Sequence, residues 1–349
     1  MPSLPLRPLT MTTNSPLGPV MLDLRGTALT TDEIEKIRHP ATGGLIYFTR
    51  NYDSPEQLAD LTRQIRSLRP EILIAVDHEG GRVQRFRPGF SRIPRANCYA
   101  ENGAGAAELA ELAGWLMAVE LRAVDIDFSF APVLDVDCGI SQIIGDRSFS
   151  RDADAASAIA AAFRSGMGRA GMAATGKHFP GHGGVALDSH LTLPVDGRIL
   201  SELEAKDFIP FQRLIAAGLE AIMPAHVVYP AVDDKPAGFS TRWIKDILRD
   251  QLKFDGIVFS DDLSMAGAEF AGSYRQRARM ALEAGCDMVL VCNQPDAADE
   301  VLEELAADVS AERSQRLLRM RGRWPVDRDR LLASAEWQQA AERIQSIGL

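Results

Sequence analysis

The chain alternates short apolar runs with longer segments of helical periodicity. The apolar runs predict eight strands, at residues 18–24, 43–49, 71–77, 127–136, 172–178, 220–225, 256–261 and 287–292. The segments between and after them predict eight helices, at residues 31–38, 54–68, 104–124, 154–170, 201–217, 241–253, 274–284 and 296–307. Strands that are buried on both faces are near-continuous apolar runs, so the pattern is typical of a parallel sheet covered by helices.

Eight strands that alternate with eight helices favour an α/β fold, a single (β/α)8 barrel of the TIM type. We expect the barrel at residues 18–308, after an N-terminal tail at 1–17 and before a helical extension, rich in Arg and Glu, at 309–349. A doubly wound open sheet is the alternative. It is disfavoured because no G-x-G-x-x-G motif follows the first strand.

The charge balance narrows the range of partners. The 349 residues include 38 basic and 48 acidic ones, a net charge of −10, which argues against nucleic acid as the main partner. No window is apolar enough to span a bilayer, and residues 1–19 lack the apolar core of a signal peptide. We therefore expect a cytoplasmic protein without a membrane partner. The four cysteines form no C-x-x-C pair, which disfavours a zinc ribbon or a redox motif.

The densest group of titratable residues follows the fifth predicted strand. Residues 177–190 read KHFPGHGGVALDSH and hold one lysine, three of the six histidines and one aspartate. Glycine and proline favour a bent loop, and polar clusters on a loop after a strand are typical of functional sites. Because a barrel enzyme builds its site at the carboxyl ends of its strands, we expect this loop to line it.

Two groups at these strand ends are suited to catalysis. Asp261 ends the seventh strand, where a rigid backbone can direct its carboxylate into the barrel mouth as a nucleophile for an anomeric carbon. A structural cap is the alternative for Asp261, and we expect the neighbouring Asp262 to point elsewhere or to cap a helix. His190 is the candidate acid/base, because Asp188 can hydrogen-bond its ring and favour the protonated form. An exposed turn is the alternative for this pair.

Charged residues at other strand ends are suited to holding a polar ligand. Several charged donors and one acceptor match the hydroxyl groups of a sugar. The group comprises Asp77, Arg85, Arg147 and Lys177. For each of them taken singly, an ordinary surface charge is the alternative.

Five motifs at the strand ends are specific in combination. They are AVDHEGGRVQRF at 75–86, GDRSF at 145–149, KHFPGHG with DSH at 177–190, IMPAHVVYP at 222–230 and FSDDLSMAG at 259–267. With them the chain resembles, over residues 18–300, the bacterial β-N-acetylglucosaminidases of glycoside hydrolase family 3, the NagZ type. It departs from the pattern at His78, Asp146 and Ala266, where Gln, Glu and Glu are familiar. None of these replaces a proposed catalytic group.

The resemblance implies a function and a set of roles. Asp261 would be the nucleophile of a retaining mechanism, and His190, paired with Asp188, its acid/base. The N-acetylglucosamine ring would be held by Asp77, Arg85, Arg147, Lys177 and His178. The substrate would be a small glycan, terminal β-linked N-acetylglucosamine on 1,6-anhydro-muropeptides in peptidoglycan recycling. We expect a monomer that uses neither a metal nor a cofactor.

Three other functions stay open on the sequence alone. Zinc held by His178, His182, His190 and Asp188 would make a metal-dependent hydrolase, although the spacing does not place His178 and His182 on one helix face. A related β-glycosidase of other sugar specificity or a glycoside phosphorylase is the second, because a neutral histidine repels phosphate less than a carboxylate does. The third is an inactive barrel that binds sugar without turnover.

Overall fold

A closed barrel of eight parallel strands forms the centre of the computed structural model, which describes residues 16–187, 189 and 192–347. The strands are β1 (Val20–Asp23), β2 (Thr42–Tyr47), β3 (Leu73–Val76), β4 (Phe128–Ser129), β5 (Ala173–Phe179), β6 (Ala221–Pro224), β7 (Ile257–Asp262) and β8 (Met288–Val291). Each strand pairs with its neighbours along the chain, and β8 closes on β1 with Val20 opposite Val289. The predicted barrel is confirmed, and the open-sheet alternative is wrong because the sheet has no free edge.

Helices connect the strands and cover the outside of the barrel. The α-helices are Thr31–Arg38, Pro55–Leu68, Ala106–Arg122, Ala153–Arg169, Leu200–Ala205, Phe208–Ala216, Tyr274–Ala284, Pro295–Glu304, Ala311–Leu317, Arg328–Ala333 and Ala335–Gln345, and Arg242–Gln251 is a π-helix. Ser54 caps its helix, because its side chain accepts the backbone N–H of Gln57. The first helix is capped by Thr30, whose side chain accepts the backbone N–H of Glu33. The boundaries predicted for the barrel and its extensions stay predictions.

One predicted helix, at 201–217, is divided in two. The helix Leu200–Ala205 ends where the chain turns to place the carboxylate of Asp207, and Phe208–Ala216 begins directly after it. Asp207 is almost fully buried and accepts hydrogen bonds from Arg198, so a buried ion pair stands at the break. Glu202 accepts the backbone N–H of Ile199 at the start of the first of these two helices.

The fourth strand is shorter than predicted, and its continuation helps to build the site. The regular ladder ends after Ser129 because Pro132 has no N–H to donate to it. The chain nevertheless continues beside β5, with Val133 opposite Lys177 and the N–H of Leu134 donating to the Lys177 carbonyl at 2.6 Å. This irregular path places Asp135 next to the end of β5.

Three carboxylates with little exposure occupy the end of the barrel where the strands begin. Each carboxylate directly precedes an even-numbered strand and accepts a backbone N–H from the odd-numbered strand before it. Each also pairs with arginines from a helix and from residues 316–323. The groups are Asp127 with Arg66 and Arg321, Glu220 with Arg164 and Arg323, and Asp287 with Arg249 and Arg316. The ion pairs tie the segment after the last barrel helix to this end of the barrel. The opposite end holds the candidate site.

The described helices also bear on the membrane prediction. Not one of them combines the length and the apolar character that crossing a bilayer requires. The cytoplasmic location stays a prediction.

Candidate active site

A cavity of about 420 Å³ opens at the carboxyl ends of the barrel strands. Six of the predicted site residues line it: Asp77, Arg85, Arg147, Lys177, His178 and Asp261. They lie at the carboxyl ends of β5 and β7 or in the segments that follow β3 and β4, so the barrel brings together side chains that are far apart in the sequence. The other two predicted residues, Asp188 and His190, lie outside the described residues.

Lys177 is the centre of a charged cluster at the floor of this cavity. Its ammonium nitrogen lies 2.8 Å from Asp77 Oδ1 and 2.6 Å from Glu79 Oε1. Glu79 also accepts two parallel hydrogen bonds from Arg147, both 2.8 Å long. Arg85 approaches the other oxygen of Asp77 at 3.6 Å. Three basic and two acidic side chains thus hold each other in fixed positions, and bidentate pairs of this kind constrain orientation as well as distance.

The cluster fixes the charge state of its members. Burial alone would lower the pKa of Lys177, but the carboxylates of Asp77 and Glu79 outweigh burial and raise the pKa above its usual value. Burial would likewise raise the pKa of Glu79, yet Arg147 and Lys177 hold it well below its usual range. These groups stay charged at neutral pH, so Lys177 and Arg147 remain hydrogen-bond donors towards a ligand in the cavity.

A second buried carboxylate, Asp135, orients the histidines of the loop after β5. Its Oδ2 accepts a 2.7 Å hydrogen bond from Nδ1 of His178, and its Oδ1 accepts the backbone N–H of His182 at 2.7 Å. Burial would raise the pKa of Asp135, but the electrostatic interaction and the hydrogen bond with His178 lower it below the usual value. The bond assigns the Nδ1 proton of His178 to Asp135, which leaves Nε2 as the ring's remaining polar atom.

Asp261 and Asp262 end β7 and differ in their surroundings. Both line the cavity, and Asp261 Oδ1 accepts the backbone N–H of Asp262 at 2.8 Å. The Asp262 carboxylate accepts hydrogen bonds from Ser264 and from the backbone N–H of Cys292. It therefore holds the loop after β7 against the end of β8. Burial raises the pKa of Asp262 to about 7, against the opposing effect of these hydrogen bonds.

Glu79 and Asp135 are site residues that sequence reasoning missed. Glu79 stands in the Gly- and Arg-rich loop after β3, and an acidic residue among arginines is a signal that could have singled it out. Asp135 offered no such signal, because it lies in an apolar run that was predicted to be one continuous strand. Its partner His178 is 43 residues away in the sequence. Only the parallel course of the two segments brings them together.

The described residues do not contain a cluster suited to a metal ion. No group of three His, Cys, Asp or Glu side chains in this part of the chain has the required arrangement. Two of the four residues of the zinc alternative, Asp188 and His190, lie outside it. The other two, His178 and His182, have ring centroids 5.9 Å apart.

Comparison with known families decides the family. The chain matches the model of the glycosyl hydrolase family 3 N-terminal domain over residues 18–320. It belongs to glycosyl hydrolase family 3. The match extends over the barrel and into the segment after it, which contributes arginines to the end of the barrel where the strands begin. This confirms the family predicted from the motifs.

Individual relatives agree with the family match. The chain is 59% identical over 329 residues to a Beta-hexosaminidase of Methylococcus capsulatus, covering 94% of this chain and 98% of the relative. It is 50% identical over 332 residues to a Beta-hexosaminidase of Pseudomonas aeruginosa, covering 95% and 99%. Among solved structures it is similar to NagZ from Neisseria gonorrhoeae in complex with N-trifluoroacetyl-D-glucosamine, with a TM-score of 0.91, 45% identity and coverage of 96% and 99%. These matches confirm the predicted enzyme class, a glycoside hydrolase of the β-N-acetylhexosaminidase type.

Proposed function

We propose that the protein is a retaining exo-β-N-acetylglucosaminidase that removes terminal non-reducing N-acetylglucosamine, with Asp261 as its nucleophile and His190, paired with Asp188, as its acid/base. One observation carries this proposal. Asp261 shares a single cavity with five other predicted site residues, whose charged or polar side chains come from three other strand ends. A carboxylate facing a ring of fixed donors and acceptors is the arrangement that glycoside cleavage requires.

In the first step, the Asp261 carboxylate attacks the anomeric carbon while His190 protonates the leaving oxygen. Lys177 and Arg147 donate hydrogen bonds to sugar hydroxyls, and Asp77 accepts one. Because Glu79 pairs with both cations, these donors are held in place before the substrate arrives, which lowers the entropic cost of orienting the ring. The product of this step is a covalent glycosyl-enzyme.

In the second step, His190 is neutral and removes a proton from the incoming water, which displaces Asp261 and restores the original anomeric configuration. The transition states of both steps resemble an oxocarbenium ion. The carboxylates of Asp261 and Asp77 stabilise its positive charge through space.

We also propose that the natural substrates are 1,6-anhydro-muropeptides, which would place the enzyme in peptidoglycan recycling. Two facts support this finer assignment. The motifs are those of the NagZ type, and the structurally similar Neisseria protein binds N-trifluoroacetyl-D-glucosamine, an N-acylated glucosamine. The cavity of about 420 Å³ is large enough for a sugar ring with its N-acyl group.

Hydrolysis of 4-nitrophenyl β-N-acetylglucosaminide tests the proposal. We expect turnover by the wild type, loss of turnover in Asp261→Ala, and little turnover of the matching β-glucoside. Asp60→Ala is the matched control, because Asp60 is an exposed carboxylate on an outer helix that pairs only with Arg63 among the interactions described. Its rate should equal that of the wild type.

Different results would favour the alternatives. Turnover of the β-glucoside in preference to the acetylated sugar would indicate another sugar specificity. Formation of N-acetylglucosamine 1-phosphate in phosphate buffer would indicate a phosphorylase. Binding without turnover of any β-glycoside would indicate an inactive barrel. Equal rates for a synthetic disaccharide with and without the 1,6-anhydro ring would contradict the muropeptide assignment alone.

A further inference from the structure

One arginine, Arg198, contacts both the beginning and the end of the loop that follows β5. The loop leaves the barrel at Gly181 and returns at Arg198, and its middle carries the acid/base pair of the proposed mechanism. Arg198 donates to Asp196 Oδ2 at 2.7 Å and to Asp207 Oδ2 at 2.6 Å. The side chains of Asp196 and Asp207 are 3% and 0% exposed. The guanidinium therefore holds the end of the loop against the start of the helix Phe208–Ala216.

The beginning of the loop packs on the same guanidinium. A Cβ atom added at Gly184 would lie 2.2 Å from Nη2 of Arg198, and one added at Gly181 would lie 2.7 Å from Cβ of Asp207. Both positions leave room for hydrogen only, so the first residues of the loop are in direct contact with the ion pairs. Arg198 thus touches both ends of the loop.

The loop after β6 supports both ends from the other side. The Tyr229 hydroxyl donates to the Gly181 carbonyl at 2.9 Å, and the N–H of Asp196 donates to the Val228 carbonyl at 2.8 Å. Tyr229 is fully buried. Both ends of the loop base are therefore fixed, and Arg198 contacts each of them, at Gly184 and at Asp196.

Breaking the ion pairs of Arg198 is energetically unfavourable. Removing the guanidinium leaves two buried carboxylates without their cation, which disfavours the present arrangement of the loop base. Among the described residues, Arg198 does not line the cavity that contains Asp261, so we assign it no contact with the sugar. Its influence on the reaction would have to pass through the loop.

We propose that Arg198, through its ion pairs with Asp196 and Asp207, is a positioning residue that aligns the loop for protonation of the leaving group. This inference rests on the proposed function, in which a residue of that loop is the acid. It assigns to Arg198 an effect on leaving-group protonation and none on sugar binding.

The test compares two N-acetylglucosaminides that differ only in the leaving group. The 2,4-dinitrophenyl glycoside departs without a proton, whereas the phenyl glycoside needs one. In Arg198→Gln we expect kcat/KM for the phenyl glycoside to fall by about 10- to 100-fold and that for the dinitrophenyl glycoside by less than about 3-fold. Arg213→Gln is the matched control, because Arg213 pairs with the exposed Asp154 on the outer surface; both rates should stay unchanged.

A second variant covers the case in which Arg198→Gln does not fold. Gly184→Ala keeps both ion-pair partners but displaces the guanidinium, and it should show the same selective loss with the phenyl glycoside. Equal losses on both substrates, or no loss on either, would overturn the proposal. If the wild type hydrolyses neither substrate, the proposed function fails and this inference with it; if the wild type hydrolyses both and the ratio is unchanged in the variants, only the inference fails.

Discussion

A buried histidine, His78, predicts how the stability of the protein depends on pH. The side chain is 1% exposed, and its Nδ1 has no hydrogen-bond partner among the described residues. Burial, with the nearby charges of Arg85 and Arg87, lowers its pKa from 6.5 to about 3. In the unfolded chain the ring is expected to regain an ordinary pKa of about 6.5.

The sign and size of the effect follow from this difference. Below pH 6.5 the unfolded chain binds a proton that the folded protein does not, so the free energy of unfolding falls as the pH drops, until the folded ring protonates near pH 3. Between pH 7 and pH 5, a pKa shift of this size amounts to about 2 kcal/mol. In His78→Gln this contribution is absent.

Urea unfolding at pH 7 and pH 5 measures the effect. We expect the loss of unfolding free energy between the two pH values to be about 2 kcal/mol smaller in His78→Gln than in the wild type. Any pH-independent cost of the substitution cancels in this comparison. His39→Gln is the control; it should change the pH dependence less, because the His39 ring is partly exposed to water. An identical pH dependence in wild type and His78→Gln would refute the reasoning.

Three further predictions concern the site and the opposite end of the barrel. Glu79→Gln should lower kcat/KM by about 10- to 100-fold, since Lys177 and Arg147 lose their shared carboxylate. Gly267→Ala should lower kcat/KM by about tenfold, because the new Cβ would lie 2.8 Å from His226 Cβ and 3.3 Å from the Ser189 carbonyl oxygen. Gly26→Ala is its control and should leave kcat/KM unchanged, because a Cβ at Gly26 meets no atom within 4 Å. Arg321→Gln should lower the free energy of unfolding by about 1 kcal/mol without changing kcat/KM, because Arg321 pairs with Asp127 far from the site.

Each of these expectations has an outcome that contradicts it. Unchanged kcat/KM in Glu79→Gln would mean that Lys177 and Arg147 do not depend on Glu79 for their orientation. Equal activity of the two glycine variants would mean that the contact of Gly267 with Ser189 does not position the loop. Loss of activity in Arg321→Gln at unchanged stability would mean that the end of the barrel where the strands begin affects the reaction. Steady-state kinetics with 4-nitrophenyl β-N-acetylglucosaminide and urea unfolding supply all of these measurements.

The barrel was predictable because buried parallel strands leave a strong pattern. Runs such as the one around Val258 are apolar throughout, and a charged residue at the end of a run, such as Asp77 or Asp261, marks the carboxyl end of a strand. That is why residues as distant as Asp77 and Asp261 could be assigned to one cavity before any coordinates were known. The same rule failed where the backbone is irregular, as it is after Pro132.

The partners of the predicted residues were not predictable. Lys177 was expected to hold a ligand, but its pairing with Glu79 depends on the position of the loop after β3 relative to the end of β5, which the sequence pattern does not encode. The break before Asp207 was hidden for a similar reason. The segment at 201–217 has the periodicity of one helix. The helix stops because Asp207 forms a buried ion pair with Arg198, which lies earlier in the chain. The local sequence pattern predicts helices and strands, whereas ion pairs between them can be identified only from the folded structure.

Trapping of the glycosyl-enzyme tests the central claim most directly. A fluorinated N-acetylglucosaminyl fluoride, which forms the covalent intermediate faster than water releases it, is incubated with the enzyme, and the labelled peptide is identified by mass spectrometry. The proposed mechanism predicts a single label on Asp261, at the end of β7, and no label in Asp261→Ala. A label on another residue, or turnover of the reagent without any label, would contradict the assignment of Asp261 as the nucleophile.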